Sequence, residues 1–180
     1  MRPLYLLLSS LSVLVACAKK DASPESQLPP VTQTGANTFG CLVNGKVWTP
    51  NGGDGNQVGN LVVSYDKTTA GGVLDIRTYR YTDVKKPNTQ QYMILFVRQL
   101  HGPGTYSFKR NQHSRAYLHD FKTNCYFSSQ DSATTYRNGS LTLTRLDEAA
   151  GIVSGTFHYT LYTPGCDSLK VTQGRFDCRM

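Results

Sequence analysis

The stretch LTLTRLDEAAGIVSGTFHYTLY, residues 141–162, decides the fold. Leu141 and Leu143 alternate with Thr142 and Thr144, so one face of the segment is apolar and the other polar. Successive side chains of a strand point to opposite faces, and this alternation is that of a half-buried antiparallel strand. A turn at Glu148–Gly151 leads into a second strand, Ile152–Thr163, with Val153, Phe157, Tyr159 and Leu161 on one face and Gly155 among them. A glycine there either admits a neighbouring large ring or marks a bulge. Downstream, Leu169 and Val171 share one parity while Phe176 and Cys178 have the other. That phase change predicts a bulge at Gln173-Gly174, which re-aims the chain by one residue.

Toward the N-terminus the same pattern recurs in shorter pieces. Phe39–Trp48 carries Asn44-Gly45 between Leu42-Val43 and Lys46-Val47. Asn-Gly suits a type I′ turn, whose two central residues both need positive φ, so a hairpin is expected. Asn51–Asn60 is a glycine-rich loop. Leu61–Tyr65, Val73–Tyr81 and Tyr92–Arg98 read as strands, the last a candidate for central burial; Gly104–Phe108, Ala116–Phe121 and Cys125–Phe127 are shorter ones. Long amphipathic helical periodicity is missing. About ten strands with short connections predict an all-β domain, an antiparallel β-sandwich, with a small β-barrel as the alternative.

The chain begins with a different signal. Arg2 gives a positive start, Leu4 to Val15 an apolar run, and Leu14-Val15-Ala16-Cys17 has the form of a lipobox. The run is too short for the ~20 residues of a membrane-spanning helix. Cysteine is the residue the chemistry needs, because its thiol takes a diacylglyceryl group as a thioether and cleavage before it frees an amine for another acyl chain. Two or three chains, at ~0.8 kcal/mol per buried methylene, anchor a protein stably where one does not. An ordinary secretory signal with an incidental Cys17 is the alternative. Residues 1–16 are thus expected to be a cleaved signal peptide, 17–37 a lipidated cysteine and flexible linker containing Pro24, Pro29 and Pro30, and 38–180 one domain. Ala18, in place of an aspartate, favours the outer membrane; Lys19-Lys20-Asp21 resembles part of a surface-export signal, leaving the membrane face open.

The formal charge is +7. An exported, membrane-held chain is a poor nucleic-acid binder, and its scattered basic residues suit anionic headgroups or acidic polysaccharide, or simply a solvated surface. With Cys17 lipidated, four cysteines remain in an oxidising compartment. The segment from Cys166 to Cys178 reads as strand, which at ~3.3 Å per residue holds its ends too far apart for the ~4.4–6.8 Å between bridged Cα atoms. Cys125–Cys166 is therefore the expected disulfide, with Cys41 and Cys178 either a second pair or two buried thiols.

No catalytic, cofactor or metal motif is present. His101, His113, His119 and His158 lack zinc spacing, and Gly52-Gly53-Asp54-Gly55 begins like a calcium repeat but has Gln57 where an aspartate ligand belongs. Arg145-Leu146-Asp147 and Arg175-Phe176-Asp177 fit structural hydrogen bonding or ion pairing better than catalytic carboxylates, while Asp75, Asp83, Asp120 and Asp147 stay unassigned as candidate glycosidase carboxylates. Asp131-Ser132-Ala133 and Asp167-Ser168-Leu169 have the form of an O-glycosylation triplet, making Ser132 and Ser168 candidate acceptors.

The blocks TGANTFGCLVNGKVW (residues 34–48), LTLTRLDEAAGIVSGTF (141–157) and VTQGRFD (171–177) resemble a Bacteroidota family of lipoproteins carrying a domain of unknown function. The resemblance implies an all-β extracytoplasmic domain and brings no catalytic residue or ligand with it. Eleven tyrosines favour a non-catalytic binding module for a glycan, lipid or envelope protein, since tyrosine joins an apolar ring to a hydrogen-bonding tip. The alternatives are an envelope hydrolase, which needs converging carboxylates or a nucleophile–base pair, and a purely structural envelope protein. Aromatics lining an open face would favour the binding module.

Overall fold

The computed structural model describes residues 23–52, 59–110 and 112–180; the signal stretch, Cys17 and most of the glycine-rich loop lie outside them. Eleven strands are formed among the described residues: β1 (Thr38–Val43), β2 (Lys46–Trp48), β3 (Leu61–Asp66), β4 (Val73–Tyr81), β5 (Gln90–Arg98), β6 (Gly104–Ser107), β7 (Ser114–Asp120), β8 (Cys125–Ser128), β9 (Tyr136–Asp147), β10 (Ile152–Tyr162) and β11 (Leu169–Arg179). They build a six-stranded sheet, ordered β2-β1-β11-β10-β9-β6, and a five-stranded sheet, ordered β3-β4-β5-β7-β8. All pairings are antiparallel. Each sheet keeps two edge strands, so the domain is a sandwich and the barrel alternative fails.

Local chemistry sets the registers. Asn44 (φ 48°) and Gly45 (φ 78°) both have positive φ, and Val43 pairs with Lys46 as the I′ turn requires. Gly155 serves both expected purposes. The β9–β10 register shifts between Ser154 and Gly155, and a Cβ at Gly155 would lie 2.4 Å from the Thr142 carbonyl oxygen and 2.8 Å from the Phe176 ring. On β11, Gln173 takes φ 54°, and Gln173 and Gly174 together face Cys41, where the β1–β11 register jumps from Gly40–Arg175 to Leu42–Thr172. This bulge returns Phe176 and Cys178 to the core after Leu169 and Val171 have occupied it.

The core lies between the sheets. Leu74, Ile76, Met93, Leu95 and Val97 come from one side; Leu141, Leu143, Val153, Phe157, Tyr159, Leu161, Val171 and Phe176 from the other. Each such side chain contributes about 1.5–3 kcal/mol on burial. Cys125 and Cys166 are bridged, with Cα atoms 5.8 Å apart, tying edge strand β8 to the β10–β11 connection and so one sheet to the other. Cys41 and Cys178 are not a second pair but two buried thiols. The register explains this: Thr38 opposite Asp177 puts Cys178 about four residues from Cys41 along the ladder, or ~13 Å at the strand rise. Burial, then the neighbouring Asp177 carboxylate, push the Cys178 thiol up to about 12, so it stays protonated and inert.

Two expectations need correction. Residues 23–37 of the expected flexible linker are docked on the six-stranded sheet. Leu28 is buried, Pro29 packs on Gly40, Glu25 pairs with Arg175, and Arg145 donates to the Gln33 carbonyl. The linker-like composition misleads because its polar groups are used in place: Thr32, Thr34, Gly35 and Ala36 all donate to the Asp177 carboxylate. Strand β5 is indeed the middle strand of its sheet, but only one of its faces is in the core. Met93, Leu95 and Val97 are buried, whereas Tyr92, Ile94 and Phe96 are half-buried on the opposite side.

Candidate functional site

The outer faces of the two sheets differ in kind. On the six-stranded sheet the outward residues of β9, β10 and β11 include Thr142, Thr144, Thr156, Thr160, Thr172 and Lys170, and the docked N-terminal segment covers part of that face. The outer face of the five-stranded sheet has no segment across it among the described residues, and it is aromatic.

Strand register assembles that face. Tyr79 on β4 is opposite Tyr92 on β5, Tyr92 is opposite His119 on β7, and His119 is opposite Tyr126 on β8. The next row is Val62, Arg77, Ile94, Tyr117 and Ser128, and the one after it Ser64, Asp75, Phe96 and Arg115. The rings lock together. Tyr79 and Tyr92 stack at 4.7 Å between centroids; Tyr117 meets Tyr92 edge-on at 5.6 Å and Tyr126 at 4.8 Å; His119 lies 4.1 Å from the Phe121 ring. Each such contact adds about 0.5–1.5 kcal/mol beyond area burial and fixes the rings before any ligand arrives. Phe121 and Tyr126 remain more than two-fifths exposed, unusual for large rings with no covering partner.

Polar groups punctuate the platform. Arg77 donates through Nε (2.9 Å) and Nη2 (2.6 Å) to the same Asp75 oxygen, Oδ2; the buried Asp75 Oδ1 has no protein hydrogen-bond partner. That oxygen is sealed from the surface, and the Asp75 carboxylate serves to hold Arg77 in place beside the rings. Burial, then Tyr79, push the Tyr92 hydroxyl up; burial, then Tyr126, do the same at Tyr117. Both phenols are therefore protonated donors across the physiological range. A surface of fixed rings interspersed with hydroxyls can stack on a flat, partly apolar ligand and hydrogen-bond its rim.

The residues singled out in the sequence do not gather into a catalytic group. Asp75 is on this face with Arg77; Asp83 pairs with Lys86 at 3.6 Å in the β4–β5 connection; Asp147 pairs with Arg145 at 2.7 Å near the β9–β10 turn. Asp177 is sealed beneath the N-terminal segment, with Ser154 as a further donor at 2.7 Å. A cleft of about 520 Å³ between the sheets at the disulfide end is lined in part by Gln91, Asp120, Phe127, Asp167 and Ser168. Its interior polar chain is already satisfied, Trp48 Nε1 donating to Gln91 and Gln91 Nε2 to Asp120, whose other oxygen accepts from the Lys122 and Thr123 amides. Among the described residues no three His, Cys, Asp or Glu side chains converge as metal ligands. His101, His113 and His158 are exposed and scattered, and Ser132 and Ser168 are both exposed in connecting segments.

Sequence reasoning missed the aromatic face as a place, although it counted the tyrosines. The overlooked signal was apolar or aromatic character at both parities of Tyr92–Phe96 and Tyr117–Phe121 within an antiparallel sheet that the described residues cover on one side only.

The family described as Domain of unknown function (DUF6252) matches residues 61–177, and the chain belongs to it. The match spans the whole five-stranded sheet and ends at the clamped Asp177. No curated protein and no solved structure matches the chain.

Proposed function

We propose that this member of the DUF6252 family is a non-catalytic envelope binding module that lays a carbohydrate chain across the aromatic face of its five-stranded sheet, and that a lipid on Cys17 holds it at the outer membrane. The observation that carries the reading is the continuous ladder Tyr79–Tyr92–Tyr117–Tyr126, standing on the uncovered side of the sandwich. Sugar rings present apolar C–H faces bordered by hydroxyls, the complement of tyrosine rings bordered by phenol donors. A flat open sheet suits holding a polymer, whereas glycoside hydrolysis needs two carboxylates set about the scissile bond with a water positioned to attack.

Titration of the full-length protein with envelope polysaccharides tests the platform. Tyr92→Ala and Tyr117→Ala are each expected to weaken binding about tenfold, the effect of losing one buried stacking ring, with products unchanged by mass spectrometry. Wild-type affinity in both variants removes the platform. Turnover of the polysaccharide, abolished by a single carboxylate substitution, would make the protein an enzyme. The anchor has its own test: Cys17→Ser is expected to leave the precursor uncleaved and without lipid by intact mass. A mature chain starting elsewhere with an unmodified Cys17 would refute it.

A further inference from the structure

At one border of the aromatic face the rings give way to cations. Arg115 and Phe96 are cross-strand partners, and Arg98 lies one step beyond Phe96's neighbour Val97, on the diagonal from Arg115. Both guanidinium groups rest on one ring, the Arg98 Cζ 5.6 Å and the Arg115 Cζ 5.3 Å from the Phe96 centroid. They line a hollow of about 320 Å³ with Gln112 and His113. Neither arginine forms an ion pair among the described residues, unlike Arg77, Arg145 and Arg175. Arg115 Nε is buried without a hydrogen-bond partner. The carboxylate in the cross-strand row of Arg115, Asp75, lies beyond Phe96 and is engaged by Arg77, and Arg98 stands opposite Val73.

This arrangement is costly for a bare protein. Like charges on neighbouring strand positions repel, and the buried Arg115 Nε–H has no acceptor among the described residues. An oxyanion in the hollow offsets the repulsion between the two guanidinium groups, because the planar fork of arginine matches carboxylate, sulfate or phosphate oxygens. The hollow adjoins Phe96 at the end of the ring rows, so an anion there continues a ligand lying on the platform. We propose that Arg98 and Arg115 form an anion subsite and that the carbohydrate taken by this face is acidic, carrying its oxyanion substituent into the hollow. This rests on the carbohydrate-platform reading, and it adds the class of glycan.

The test compares full-length wild type with Arg98→Gln/Arg115→Gln, Arg98→Lys/Arg115→Lys and Tyr92→Ala, each titrated with polygalacturonate, dextran sulfate and neutral dextran. The expected result is tighter, salt-sensitive binding of at least one acidic polymer, weakened about tenfold or more in the Gln pair and partly retained in the Lys pair. Preference for the carboxylate over the sulfate polymer, or the reverse, identifies the oxyanion. Galacturonate monosaccharide provides a direct probe: the Arg98 and Arg115 Nε–H signals should shift by NMR, independently of Tyr92. Equal affinity for acidic and neutral polymers, unchanged in the Gln pair, overturns the subsite while a Tyr92→Ala loss preserves the platform. Arginine signals that respond to galacturonate beside polymer affinity that ignores Tyr92→Ala retain the subsite and overturn the platform. Stronger binding to anionic lipid vesicles or single-stranded DNA than to any glycan, lost in the Gln pair, overturns the proposed ligand class. Melting temperatures of the Gln pair and the Lys pair within a few degrees of wild type tie these losses to the hollow, and the Lys pair carries the comparison if the Gln pair is destabilised.

Discussion

Replacing Asp177 with Asn is expected to lower the stability of the full-length protein by about 2–4 kcal/mol in urea unfolding, with the midpoint shifted and the slope preserved. The carboxylate accepts from six donors. Oδ2 takes the Thr32 hydroxyl (2.6 Å), the Thr34 amide (2.9 Å) and hydroxyl (3.2 Å) and the Ala36 amide (3.2 Å), while Oδ1 takes the Gly35 amide (2.8 Å) and the Ser154 hydroxyl (2.7 Å). Asparagine keeps the shape but turns one of those oxygens into a donor facing donors, leaving buried N–H groups without an acceptor. Thr32→Val and Ser154→Ala remove one donor each and should cost nearer ~1 kcal/mol. Hydrogen exchange provides the local readout: the amides of residues 34–36 should lose protection first in Asp177→Asn, because this clamp fastens the N-terminal segment to the sheet. Unchanged midpoint and unchanged exchange would mean that the segment is held by Leu28 and Pro29 alone.

The same clamp fixes the sign of the acid response. Burial works to raise the Asp177 carboxyl, but the Thr32 and Ser154 hydroxyls and the Thr34 and Gly35 amides outweigh it and hold the group well below the usual carboxylate range. A carboxyl with a depressed folded-state value contributes its full stability above the unfolded value, ~3.9, and loses it as pH falls from there toward the folded value. Wild type should therefore weaken steadily below about pH 4, whereas Asp177→Asn, already lacking the contribution, should show a shallower slope over that interval.

What the sequence disclosed and what it hid follow from how far each signal reaches. The turn at Asn44-Gly45, the ring pocket at Gly155 and the bulge at Gln173 are local constraints of backbone and Cβ, and each is written in two or three adjacent residues. The role of Thr32–Ala36 is not local, because the acceptor they serve lies more than 140 residues away and polar residues near prolines look the same whether free or clamped. The aromatic face was hidden differently. Period two assigns residues to faces but does not say which face meets the other sheet, and β5 presents large apolar residues on both. Knowing that Tyr92 stands beside Tyr79 and Tyr117 needs the pairing of three strands, which no single-strand pattern contains.

The disulfide joins stability to the aromatic face, and its loss should be felt in both. Cys125 and Cys166 are 41 residues apart in sequence, a loop whose closure by a cross-link stabilises by about 4 kcal/mol in the chain-entropy account. Cys125→Ala/Cys166→Ala should lower stability by about 2–5 kcal/mol. The bridge also has a local target. β8 has only four residues, pairs only with β7 and carries Tyr126, the outermost ring of the ladder. The cross-link at Cys125, beside Tyr126, ties that short edge strand covalently to the opposite sheet, alongside the buried Phe127 ring. Without it β8 should fray before the rest of the domain unfolds, so its amides should exchange faster than those of β4 and β5. Polysaccharide affinity should then fall several-fold, roughly as far as in Tyr126→Ala, even at temperatures where the core remains folded. Reduction of wild type should reproduce the double variant on both measures. A double variant that loses global stability but keeps β8 protection and full affinity would show that pairing with β7 alone positions Tyr126, and that the bridge acts only on the unfolded chain.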